Sequence, residues 1–321
     1  MNNCIKCLPV SIVLLLASLG LNAQHWFSLN NQHINNSLTF DSIAAPALQV
    51  FEPAKELKNG VGILVIPGGG YRGLAWSGEG PAIARAFNSL GLTCFVLKYR
   101  LPNIKLMPDF SEVPFTDAQA ALNWIKQHAQ QYHLDTAKIG VIGFSAGGHL
   151  AATLGNRHSG NLAFQILVYP VISMQDNIAH EGSRTALIGA DATQKLKDFY
   201  SAELQVNANT PPTYITHTGD DKTVVVQNSI NMYQALLKQH ISTELHLYPE
   251  GNHGFIKRLP VNDWLTPMTK FLESHKVLSP SLTRTSSFKM PENFNTDSWE
   301  IIAMIQNSQS GKILGATKVS L

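Results

Sequence analysis

The sequence predicts an α/β fold, with a mostly parallel central sheet and helices on both of its faces. Two patterns and the composition predict it. Short apolar runs recur without the polar alternation of a half-exposed sheet, at residues 61–66, 92–97, 139–142 and 166–169. Segments with apolar residues at helical spacing separate them, at 81–90 and 116–130 among others. Strands buried on both faces and joined through helices form parallel sheets covered on each side. The composition agrees: of 321 residues, 44% are hydrophobic and 14% charged, against about 25% charged in an average soluble protein. A disordered chain needs the opposite balance. The net charge of +2 leaves no basic footprint, so a nucleic-acid partner is not predicted.

Taken in order, residues 1–23 have one positive charge, Lys6, then an apolar run over 8–21, then Asn22-Ala23 before Gln24. That is the three-part layout of a cleavable signal peptide, which implies a secreted or periplasmic protein. The run is shorter than the ~20 residues that span a bilayer, so no stable membrane anchor is expected. Cys4 and Cys7 leave with this leader. Cys94 then stands alone, within the strand pattern 92–97, and reads as an inert core thiol. Residues 24–44 are a polar, Asn-rich lead-in. A domain is expected over 45–278. Its first strand candidate is 47–51. The run 61–66 ends at Pro67-Gly68-Gly69-Gly70, a strand meeting a sharp loop. A helix over 81–90 stops at Gly91, and strand 92–97 leads into a loop with Pro102, Pro108 and Pro114. Helix 116–130, strand 139–142, helix 147–154 and strand 166–169 follow. Residues 172–210 interrupt the alternation with one helical piece near 194–204. Such insertions sit over the C-terminal edge of the strands, where ligands bind. Strand 213–217, helix 226–240, strand 244–248 and helix 263–275 complete the alternation. Residues 279–321 change to a Ser/Thr-rich composition with one apolar patch near Trp299, and read as a flexible extension.

Gly143-Phe144-Ser145-Ala146-Gly147 fits the pattern G-x-S-x-G. Three fixed positions at about 7% each match by chance in roughly one chain in ten of this length, so the flanks decide. A strand precedes the motif and a helix follows it. This is the setting in which a serine on a tight strand–helix turn stands clear of the sheet. A nucleophilic serine needs a base and an orienting acid. Asp220 and Asp221 follow the strand 213–217, and His253 lies in the Gly-bounded turn after 244–248. All three groups thus emerge at strand C-termini, on one edge of the sheet. Among rival histidines, His149 lies one turn along the helix from Ser145 and reads as a packing or capping residue. His217 and His246 lie in strands. Asp221 starts the next helical segment and is preferred as the acid. Asp220 is expected to bond local backbone in the turn. One oxyanion donor is expected from the Ala146 N–H and the other from the loop Pro67-Gly68-Gly69-Gly70-Tyr71, whose glycines let bare backbone approach a substrate.

The runs Val65-Ile66-Pro67-Gly68-Gly69-Gly70-Tyr71, Phe95-Val96-Leu97-Lys98-Tyr99-Arg100-Leu101-Pro102 and Gly143-Phe144-Ser145-Ala146-Gly147-Gly148-His149-Leu150-Ala151 resemble the α/β-hydrolase superfamily. Within it they resemble bacterial secreted carbohydrate esterases of the acetyl-xylan and feruloyl esterase type, relatives of the hormone-sensitive-lipase-like esterases. The lipase-like relatives often begin the oxyanion loop with histidine, whereas this chain has Pro67, the form associated with the sugar-ester branch.

The resemblance implies an α/β-hydrolase fold with Ser145 as nucleophile, His253 as base and acid, Asp221 as orienting acid, Gly69, Gly70 and Ala146 as oxyanion donors, and no cofactor. It also implies an ester substrate on plant polysaccharide or its fragments. No H-E-x-x-H and no His/Cys cluster suggests a metal. Tyr71, Arg72 and Trp76 follow the oxyanion loop and are candidates to line the substrate site. A histidine base of ordinary acidity loses its proton near pH ~6.5, so the rate should rise through that region. Two other readings stay open: a serine peptidase of the prolyl-oligopeptidase type, and a non-catalytic α/β-hydrolase fold that binds carbohydrate. No oligomeric state is implied.

Overall fold

Eight segments dominated by Val, Ile, Leu and aromatic residues pair into one sheet, in the order β1-β2-β4-β3-β5-β6-β7-β8. The strands are β1 (His25–Ser28), β2 (Ala47–Phe51), β3 (Gly62–Ile66), β4 (Thr93–Lys98), β5 (Ile139–Phe144), β6 (Gln165–Val168), β7 (Thr213–Thr218) and β8 (Thr243–Tyr248). The computed structural model describes residues 25–29, 46–103, 105, 108–158, 162–280, 300–306 and 313–320. The expected signal peptide at 1–23 lies outside them. No helix among the described residues is long and apolar enough to cross a membrane.

β3 to β8 run parallel, and β2 is antiparallel to both β1 and β4. β2 to β7 are buried at every position, as strands covered on both faces must be. Alternate residues feed two cores. Leu64, Phe95, Val141 and Leu167 face α3 (Val113–Gln127), α4 (Ala146–Arg157) and α7 (Gln227–Lys238), through Leu122, Leu150 and Met232. Ile63, Val65, Val96 and Ile142 face α2 (Pro81–Asn88) and α8 (Val261–Ser274), through Phe87, Met268 and Phe271. Cys94 is fully buried in this second core, and burial pushes its thiol pKa up.

Several expectations change. The lead-in expected as loose contains β1, because Trp26 stacks on Trp76 and Phe27 packs against Trp124, which gives this polar segment an apolar anchor. α3 begins at Val113, so Pro114 lies in its first turn rather than in the loop. A proline costs no helical hydrogen bond there. The insertion carries two helices where one was expected: α5 (Glu181–Ile188) and α6 (Gln194–Tyr200). Within the extension expected to be flexible, β9 (Glu300–Gln306) and β10 (Ile313–Ser320) pair as an antiparallel ladder.

Candidate active site

Ser145 sits between β5 and α4 with φ +52° and ψ −120°. A left-handed φ is costly for a residue with a Cβ, and the neighbours enforce it. Its N–H donates to Val168 O at 3.0 Å, and its carbonyl accepts from Val171 N at 3.0 Å. The flanking glycines are needed for close approach. A Cβ on Gly143 would lie 2.2 Å from Gly147 O, and one on Gly147 would lie 2.3 Å from Ile66 O. The elbow therefore presses α4 against β3 and β5, and turns the serine hydroxyl towards the strand ends.

The three side chains expected to act together do converge. Ser145 Oγ lies 2.9 Å from His253 Nε2, and His253 Nδ1 lies 2.7 Å from Asp221 Oδ2. The carboxylate is sealed while the imidazole is open: the Asp221 side chain has no exposure and that of His253 has 22%. Burial opposes ionisation of Asp221. Hydrogen bonds from His217, His253 and the Val224 N–H outweigh it and hold the carboxyl well below the usual range. Thr223 N and Val224 N donate to its Oδ1 at 2.8 and 2.9 Å. Both oxygens are therefore engaged, and the charge is fixed in direction.

His217 was read from sequence as a strand residue, yet it is a partner of the acid. Its Nε2 lies 3.1 Å from Asp221 Oδ2 and 2.9 Å from Val224 O. Both are acceptors, so Nε2 carries the proton, and Nδ1 accepts from Ser229 Oγ at 2.7 Å. The signal in the sequence was its place four residues before Asp221 at a strand end. Asp220, expected to bond local backbone in its turn, does so through its own N–H and also reaches the histidine loop. Its carboxylate accepts from Gly251 N at 3.0 Å and Asn252 N at 2.8 Å. These backbone hydrogen bonds lower its pKa. Arg258 holds the same loop through Gly251 O and His253 O.

Glu79 was not anticipated either. It ends the short helix α1 (Trp76–Glu79) and is 3% exposed. It accepts from Gly68 N at 2.8 Å, from Tyr169 Oη at 3.0 Å, and pairs with Lys257 at 2.9 Å. The Tyr169 ring stands edge-on to the His253 ring, with centroids 4.8 Å apart. Burial and the Glu79 charge push the Tyr169 pKa well up, so it remains a donor. One carboxylate thus braces the glycine loop and, through Tyr169, the His253 ring. With Gly68 N–H committed to Glu79, the N–H groups of Gly69, Gly70 and Ala146 remain without an acceptor among the described residues. Gly69 and Gly70 line the cleft beside Ser145 at φ +126° and +66°.

A family model described as BD-FAE matches residues 48–236, more than half of the chain. The chain belongs to the BD-FAE family. It is 33% identical over 206 residues to an acetylxylan esterase of Xylanibacter ruminicola, a match covering 62% of this chain and 42% of that protein. It is 34% identical over 205 residues to endo-1,4-beta-xylanase B of Butyrivibrio fibrisolvens, covering 60% and 32%. The chain thus spans less than half the length of these curated relatives. Among solved structures it resembles an acetyl ester-xyloside bifunctional hydrolase from Caldicellulosiruptor lactoaceticus, with TM-score 0.69 and 32% identity over 80% of this chain and 98% of that one. A carboxylesterase from Lactobacillus plantarum, at 21% identity and TM-score 0.64 over 80% and 99%, shares the fold.

In this BD-FAE chain the cleft over Ser145 has a volume of about 420 Å³. It opens beside a second cleft of about 520 Å³, and Arg72 lines both. Tyr71 and Trp76, the candidates to line the substrate site, lie outside the cleft over Ser145. Tyr71 reaches the wall of the second cleft, but it is 2% exposed and its hydroxyl donates to His149 Nδ1 at 2.8 Å. Trp76 stacks on Trp26 at 5.3 Å and does not line the catalytic cleft. His149 is the packing residue expected: it is buried, and its Nε2 donates to Tyr200 O at 2.7 Å.

Proposed function

We propose that this chain is a serine carboxylic ester hydrolase that removes acetyl or feruloyl groups from plant polysaccharides or their fragments. The observation that carries the reading is the unbroken hydrogen-bond chain Ser145 Oγ–His253–Asp221 set on a strained elbow. Family membership and the likeness to an acetylxylan esterase and an acetyl ester-xyloside hydrolase support the ester and the sugar. His253 Nε2 takes the Ser145 proton as Oγ attacks the ester carbonyl, and a tetrahedral oxyanion forms against Gly69, Gly70 and Ala146 N–H. The C–O bond to the alcohol breaks as His253 returns the proton to it. Water, deprotonated by His253, then attacks the acyl-enzyme; the acid leaves and Ser145 regains its proton. Asp221 holds the ring and stabilises its cationic form. In this reading 1–23 is a cleavable signal peptide and the mature enzyme is secreted or periplasmic.

Release of p-nitrophenol from its acetate ester tests the reading. The wild-type chain should turn over. Ser145→Ala should lose on the order of 10³-fold or more in kcat. Equal rates in the two proteins overturn it, and hydrolysis of acetylated xylan compared with methyl ferulate then identifies the acyl group.

A further inference from the structure

α5 begins directly over the catalytic cleft, and the side chain of His180 caps its start. The Ser183 backbone N–H donates to His180 Nδ1 at 3.2 Å, and Ser183 Oγ lies 2.8 Å from the same nitrogen. A ring nitrogen that accepts a backbone N–H cannot carry the proton, so in the neutral ring the proton sits on Nε2. Burial, followed by the neighbouring His253 and Arg72, lowers the His180 pKa and favours that neutral form. Nε2 has no acceptor among the described residues. The ring lines the cleft that holds Ser145 and His253, across from the glycine loop: a Cβ placed on Gly70 would stand 4.0 Å from His180 Cε1.

The other polar side chains lining that cleft are Arg72, Thr223, Glu79, Lys257, Ser145 and His253. Glu79 is held by Gly68 N, Tyr169 and Lys257, and Ser145 and His253 bond each other. His180 therefore presents an oriented N–H donor, fixed in tautomer by a helix cap, beside the reacting serine.

We infer that His180 is a specificity-determining residue, which donates its Nε2–H to an oxygen of the sugar portion of the bound ester. The inference rests on the ester-hydrolase reading above. A substrate with a hydroxyl or ring oxygen at that place satisfies the donor. An aryl ester lacking one leaves it unpaired when water is displaced, which penalises that substrate.

Two substitutions separate the donor from the cap. Asparagine is among the best N-caps but is too short to reach the cleft position. Glutamine loses the cap geometry, while its amide N–H extends about as far as the ring Nε2–H.

The readout is the ratio of kcat/KM for an acetylated xylo-oligosaccharide to that for p-nitrophenyl acetate. In His180→Asn this ratio should fall about 10-fold, the effect of one hydrogen bond. In His180→Gln it should stay within about three-fold of wild type. An unchanged ratio in His180→Asn overturns the inference, and it is also what a further oxyanion donor would give. A ratio kept in His180→Asn but lost in His180→Gln also overturns it, because the cap alone would then matter. Melting curves of both variants establish that the folded proteins are compared. If wild type hydrolyses no acetyl ester, the ester-hydrolase reading has failed and the inference falls with it.

Discussion

Ser145, Asp221 and His253 were legible because each sits at a strand C-terminus beside glycine or a second acid. Their helpers were not, because little in the local sequence marks them beyond the place of His217 four residues before Asp221. His217, Glu79 and His180 become functional candidates only through partners 4, 11 and 3 residues away whose geometry the fold sets. His149 shows the converse. It is one helical turn from Ser145, yet Tyr71 and Tyr200 occupy both its nitrogens. Burial is the main force lowering its pKa to about 4, against a hydrogen bond to Tyr200 that raises it. As pH falls, the unfolded chain takes this proton first. The stability conferred by the neutral ring is therefore complete above pH ~6.5 and declines between about 6.5 and about 4. The loss across that window should reach about 3 kcal/mol at most. Denaturant unfolding at several pH values checks it: His149→Gln should lose less stability than wild type between pH 7.5 and 4. Parallel pH curves would show that another group is responsible.

At the level of elements, the site is a set of strand-end loops tied to one another. The loop after β7 supplies Asp221 and, through Asp220, holds the loop after β8 that carries His253. The loop after β3 is tied by Glu79 and by the Tyr99 hydroxyl on Pro67 O at 3.0 Å. The loop after β4 is tied to α3, where Arg100 pairs with the buried Asp117. Asp220→Ala should leave the sheet and the melting temperature near wild type, but let the base drift from Ser145. The expected loss is on the order of 10-fold in kcat with little change in KM, since small misplacements of a catalytic group are costly. Steady-state kinetics with p-nitrophenyl acetate decides it. A wild-type kcat would mean that Arg258 alone holds the loop. α5 escaped the sequence because Gly182, Ser183 and Thr185 are poor helix formers. Tertiary ties replace propensity: the His180 cap, and Arg184 pairing with Asp176 at 2.6 Å.

For the whole molecule, the eight-stranded sheet and every group of the site lie within residues 25–278. Val277 and Leu278 are 4% and 8% exposed and belong to the core beneath α8. A chain ending at Leu278 should therefore fold and keep the activity of the full chain. One ending at Lys276 should lose about 2–4 kcal/mol, by exposing that core and removing two buried apolar side chains. Denaturant midpoints of the two truncations test this, and equal stability would mean that the last two residues contribute nothing.

The sequence by itself determined the class of fold, the alternation of strands and helices from β2 to α8 outside the insertion, and the three residues Ser145, Asp221 and His253 that the fold brings together. Hydrophobic period and glycine spacing are local properties that a chain displays before it folds. The tertiary structure alone decided that β2 runs against its neighbours, that Trp76 packs on Trp26, and that Asp220 grips the histidine loop. It also decided that Asp221 is shared by two histidines and that His180 overlooks the serine. Those facts depend on contacts between residues dozens of positions apart. Only the packed sheet brings them within hydrogen-bonding distance.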